Sequence, residues 1–272
     1  MRRADFLKAE NYYRFSGYAR YFQRAPHHGD DRFAQGTTFE DIRAIYDADE
    51  QVRARLTRQL TRIELLLRSH TAHVIANEHG AYGGYLREGF FLDIGDGEPT
   101  VVACLRDIRR SKERHILRFR GDTTDSLFEE LPVWSAVEAW SFGTLSKAIE
   151  RGAGGSLAGA IATSLGVAHA GFAHRVRALV YLRNRCAHHS RLWNHSVIDA
   201  GPTPGNVRAK AKRIAGQFEP RSILDVVSSL DDFAVRGMSA RPVLPSLIAE
   251  HSRNSAFWQG LLRPVSPRDH QA

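Results

Sequence analysis

Val180-Tyr181-Leu182-Arg183-Asn184-Arg185-Cys186-Ala187-His188-His189-Ser190-Arg191-Leu192-Trp193-Asn194-His195 is the stretch on which the reading of this chain turns. On a helical wheel at about 100° per residue it sorts into two faces. Leu179, Leu182, Cys186 and Trp193 fall on one side. Asn184, His188, Arg191 and His195 fall on the other, at spacings of four, three and four. Arg183 sits on the flank, where a long side chain can swing toward His188. The pattern predicts a helix from about Phe172 to His195 that packs through one face and offers an amide, two imidazoles and guanidinium groups on the other.

Outward from that helix, periods of three and four continue and no run alternates as a strand does. Val52, Leu56, Leu60, Ile63, Leu67 and Val74 mark a long amphipathic helix over about 51–78. Thr38 with Asp41 three residues on gives a capping-box start. Pro26-His27-His28-Gly29-Asp30 reads as a turn, the glycine-rich 80–100 segment as a loop, and Gly152–Gly155 as a break. The basic 101–119 segment reads as a helix with a solvated face, and a further helix starts at Leu131-Pro132 and runs through Glu138 to Trp140. Gly201-Pro202-Thr203-Pro204-Gly205 is a linker signal, followed by two or three short helices (about 207–216, 223–235 and 244–262) and a polar tail. The fold class expected is all-α, with a domain over 1–200 that carries the Arg–His motif and a helical extension over 201–272 packed on it.

Bulk composition narrows the partner class. With 38 Lys+Arg against 30 Asp+Glu the chain carries +8, and 33 of the 38 are Arg. Arg presents a planar fork suited to phosphate, so the balance is compatible with nucleic acid, although a GC-rich genome produces the same bias. Two cysteines exclude a disulfide framework and fit a reducing compartment. No apolar run approaches the ~20 residues that span a bilayer, and the basic start lacks a signal peptide's apolar core. A cytoplasmic protein without membrane contact is expected.

The polar face suits metal-free RNA cleavage. The RNA 2′-hydroxyl is a built-in nucleophile that must lose a proton. A histidine titrating near neutrality can take that proton, or protonate the leaving 5′-oxygen. A guanidinium can bind the phosphate and offset charge growing on its oxygens. Asn184 can hold the ribose or fix the His188 tautomer. Spacing alone is weak, because about five Arg–His pairs so spaced arise by chance in this composition. The polar residue after Arg183 and the sorted faces raise it above the others; Arg68 to His73 is a much weaker second motif. His27-His28 and His188-His189 lack the further ligands of a zinc site, so neither metal nor cofactor is expected. Asn11–Tyr18 holds three tyrosines, a phenylalanine and an arginine that can stack on bases, but helical spacing favours a core role. Glu64 and Arg68 read as a surface pair, with support of the cleft as the alternative, and Glu138 as a candidate buttress for a core arginine.

Arg183-Asn184-x-Cys186-Ala187-His188-His189-x-Arg191-Leu192-Trp193-Asn194 strongly resembles the signature of the Abi-like (abortive infection) family. The same family's landmarks appear in order at Asn11–Tyr18, Gly36–Phe39, Arg62–Ser69, Leu131–Trp134 with Glu138, and Ser141–Ser146. The resemblance implies a fold similar to the HEPN ribonucleases, a helical bundle with added N-terminal and C-terminal helices. It also implies two copies whose motifs meet in a composite cleft, and a role in phage defence or as a toxin with a protein or RNA antitoxin. It assigns the motif roles to Arg183 and His188, with Asn184 auxiliary. His189, Arg191 and His195 are expected to help hold RNA. The chain opens close to the first family block, so a short leading segment of many relatives is expected to be absent. The alternative expectation is a non-catalytic module that binds RNA or a protein.

Overall fold

A computed structural model describes residues 3–119, 128–198, 201, 203–238 and 240–267. Within them, helices dominate: α1 (Arg3–Glu10), α2 (Tyr12–Ala19), α3 (Phe39–His79), α4 (Thr100–Arg110), α5 (Arg114–Leu117), α6 (Val133–Ala139), α7 (Phe142–Arg151), α8 (Leu157–Leu165), α9 (Phe172–Ala187), α10 (Gly205–Ala215), α11 (Ile223–Met238), α12 (Leu244–His251) and α13 (Ser255–Leu262). The fold is all-α, and among the described residues the only strands form one small antiparallel hairpin, β1 (Gln23–Ala25) and β2 (Asp30–Phe33). The hairpin flanks the expected turn at 26–29; its strands are too short to show an alternating pattern.

The spine is α3, 41 residues long and so about 60 Å. It starts as the sequence predicts: Thr38 accepts from the Asp41 amide while the Asp41 side chain accepts from the Thr38 amide. Its stripe of Val52, Leu56, Leu60, Ile63, Leu67 and Val74 is buried, each leucine worth about 1.5–3 kcal/mol of transfer free energy. Helices α2, α6, α8, α9, α11 and α13 pack along this spine, and α7 wedges between α4, α8 and α9. The expected 101–119 helix is broken at Ser111, whose extended backbone separates α4 from α5. The expected 244–262 helix is likewise two, because Asn254 caps α13 with its side chain on the Phe257 amide.

The chain beyond the Gly–Pro linker is packed tightly. Helix α11 lies on α3, α8 and α9, and the Asn194 amide donates to the Gly260 carbonyl at 3.1 Å. A Cβ on Gly260 would collide with the Trp193 indole, so glycine is required for this approach. Among the described residues no helix is long and apolar enough to cross a membrane. The polar tail from 268 lies outside them.

Candidate active site at the end of α9

Helix α9 buries Phe172, Val176, Leu179, Leu182 and Cys186, the face that the wheel assigns to packing. It stops at Ala187, eight residues short of His195. The Ser190 amide donates to the Arg185 carbonyl at 2.8 Å and the His189 amide to Cys186 at 3.1 Å. With His189 at φ +54°, this is a Schellman cap with a non-glycine residue in the left-handed position. His188 is the last near-helical residue (φ −89°, ψ 9°), and its amide donates to the Asn184 carbonyl at 2.9 Å. Asn184, His188 and His189 are all exposed at this corner.

Arg183 is held by α3. Its Nε donates to Glu64 Oε2 at 3.1 Å and one Nη to Glu64 Oε1 at 3.3 Å, while the other Nη donates to Asn184 Oδ1 at 3.1 Å. Its guanidinium also lies 5.5 Å from the Phe142 ring centre, a favourable cation–π distance. The side chain keeps 30% of its surface open. Three of its five N–H protons are thus engaged among the described residues, leaving two for a ligand. Glu64 is not the surface pair that its spacing suggests. It is mostly buried and also takes the Arg68 guanidinium at 2.6 Å, and Arg68 in turn donates to the Val137 carbonyl. Two guanidinium groups share one carboxylate, so the cluster retains a net positive charge.

Arg68 is therefore buried and committed, which removes the Arg68–His73 pair as a second solvent-facing motif. The expected buttress role of Glu138 is also overturned. Glu138 is exposed, and it is the neighbouring Val137 carbonyl that receives the arginine.

The wheel misplaces Arg191 and His195, because the chain has left the helix before reaching them. Arg191 turns inward, donating to the Gly17 carbonyl and, at 3.0 Å, to the Tyr21 hydroxyl. His195 stacks on Tyr181 at 5.7 Å and hydrogen-bonds its hydroxyl at 2.7 Å. Burial, with Arg185 and Arg191 nearby, pushes His195 down to about 4, so it is neutral at physiological pH. Both side chains are thus engaged within the protein.

Asp49 fixes this turn, and no sequence signal singles it out. Fully buried on α3, it accepts from the Leu192 and Trp193 amides at 3.0 Å, the Tyr18 hydroxyl and the Arg53 guanidinium. Burial pushes its pKa up while Arg53 and the three other donors oppose that. Four donors aimed at two oxygens fit the carboxylate, which needs no acceptor of its own. The segment after the motif is thereby tied to the middle of the spine. Among the described residues no group of three or more His, Cys, Asp or Glu side chains is arranged to hold a metal ion.

A helical protein with an Arg–Asn pair and two exposed histidines at one helix end, braced by a buried carboxylate from a long central helix, is the class that fold and site define. The chain belongs to the Abi-like protein family, whose profile matches residues 5–194. The match takes in α2, the spine and the whole of the motif turn. Neither the curated proteins nor the solved structures hold a significant match to it. Family membership points to a defence role of the abortive-infection kind.

Proposed function

We propose that this protein is a metal-independent endoribonuclease of the HEPN type, acting in abortive infection or as a toxin. The observation that carries the proposal is the corner of α9. There a braced, partly open Arg183 guanidinium is bonded to Asn184, and His188 is exposed one turn beyond Asn184. RNA binds with a phosphate against the two uncommitted N–H groups of Arg183. The 2′-hydroxyl gives its proton to a base and attacks phosphorus. The P–O5′ bond breaks, and an acid protonates the departing 5′-oxygen. The guanidinium offsets charge that builds on the non-bridging oxygens. Glu64 keeps Arg183 from having to reorganise at that moment.

The reaction moves two protons, so it asks for a base and an acid. His188 fills one role, and a second copy of the chain, bringing its own His188 across a two-fold axis, fills the other. A homodimer with a composite cleft is thus part of the proposal, as is a neutralising antitoxin, protein or RNA. His189, exposed beside His188, contributes to RNA contact. Arg191 and His195 shape the turn from inside rather than touching RNA.

The test is cleavage of RNA by the purified protein in EDTA. Arg183→Ala and His188→Ala are each expected to lower the rate by about 100-fold or more, with unfolding midpoints near that of the wild type. A wild type that binds RNA but cuts none across varied sequences would make the protein a binding module instead.

A further inference from the structure

Tyr12 and Tyr13 open α2 with 61% and 83% of their surfaces exposed, although helical spacing assigns them to a core. Phe15 and Tyr18 of the same helix are buried as that spacing expects. Asn11 precedes the pair, with its backbone at φ +63°, ψ 114° and its side chain capping the Tyr13 amide at 3.0 Å. That positive-φ residue separates α1 from α2, and at about 100° per residue Tyr13 falls on the face opposite the buried Phe15. A non-glycine residue held in such a conformation is a feature the surrounding structure has to sustain. The two rings stand edge to face, with centres 5.7 Å apart, and Arg14 lies exposed next to them.

This aromatic pair is joined to the motif turn. Gly17, one turn after Tyr13, receives the Arg191 guanidinium through its carbonyl, and Tyr18 and Tyr21 pack on Trp193. Arg191 is three residues from His188, so chain geometry keeps the tyrosines within about 30 Å of the catalytic histidine. We propose that Tyr12 and Tyr13 form a stacking platform for unpaired bases, so that the substrate is single-stranded RNA whose backbone runs from this pair to the α9 corner. The positive charge of Arg14 and of the chain as a whole complements a polynucleotide, and two exposed rings offer π faces that any base can use. A duplex, with its bases already stacked on one another, has none to give. The inference rests on reading the α9 corner as an RNA site.

The experiment is fluorescence anisotropy of a short labelled single-stranded oligoribonucleotide, in EDTA, on the full chain carrying His188→Ala to slow cutting. Adding Tyr12→Ala and Tyr13→Ala is expected to weaken binding by about tenfold or more. Tyr12→Phe with Tyr13→Phe retains it, since the rings remain. A fully paired RNA should bind equally to all three. Unchanged affinity in the alanine pair overturns the platform, as does an equal loss in the phenylalanine pair or on the duplex. Two outcomes separate this idea from the nuclease reading. Cleavage and affinity both untouched by the alanine pair sink the platform alone; tyrosine-dependent binding by a wild type that never cuts sinks the nuclease alone. A wild type with no affinity for single-stranded RNA overturns the platform as well.

Discussion

His189 occupies a backbone position that glycine would fill more easily. Its φ of +54° closes the Schellman cap of α9, and an L-residue pays about 1 kcal/mol or more there. Because the side chain is exposed, packing does not explain its presence. His189→Gly should raise the urea unfolding free energy by up to about 1 kcal/mol while weakening RNA affinity. A variant that gains no stability, or that binds RNA as tightly as the wild type, would contradict this. His195 gives a second residue-scale prediction, in pH. Folding lowers its pKa from the ordinary 6.5 to about 4. Between those values the unfolded chain binds a proton that the folded one refuses. Stability from this group is therefore full above about 6.5 and declines as pH falls toward 4. Urea titrations of the wild type and His195→Gln should show their difference shrinking across that window, and a flat difference would refute the assignment. The exposure of Asn184 and His188 was legible in the sequence because the helical period places them on one polar face, whereas His189 entered only through the family resemblance. Arg191 and His195 were not legible, because they lie past a helix end that no glycine or proline announces.

Among the elements, the spine and its cap were the most legible. The stripe from Val52 to Val74 and the Thr38–Asp41 box are local patterns, and local patterns survive folding. Reach between elements is harder to read from one sequence. Glu64 and Arg68 look like a routine i,i+4 pair until α9 lays Arg183 over the same carboxylate. Asp49 looks like any helix acid until the motif turn brings two amides to it. Each depends on contacts distant in sequence, which single-chain periodicity cannot carry. Asp49 also yields the prediction at this scale. Asp49→Asn keeps the size but strips the charge opposite the buried Arg53 and turns one acceptor into a donor facing donors. A loss of about 3–5 kcal/mol in unfolding free energy is expected, with hydrogen exchange of the Leu192 and Trp193 amides accelerated beyond that of α3. Retention of wild-type stability and protection would mean that the turn is held by something else.

Across the whole molecule, the parts of the site come from distant stretches of chain held on one frame. Helix α3 supplies Asp49, Glu64 and Arg68, α9 supplies the motif, and α13 closes over Trp193 through Gly260. The all-α class could be anticipated from period alone, whereas the hairpin, with strands too short to alternate, could not. Such a frame presents Arg183 and His188 at a fixed corner while leaving that corner open to solvent, as metal-free transesterification requires. The ends of the cut RNA report that proposed chemistry. Purified wild-type protein should cleave RNA in EDTA to leave a 2′,3′-cyclic phosphate on one fragment and a 5′-hydroxyl on the other. Fragments bearing 3′-hydroxyl and 5′-phosphate ends, or cleavage abolished by the chelator, would contradict it.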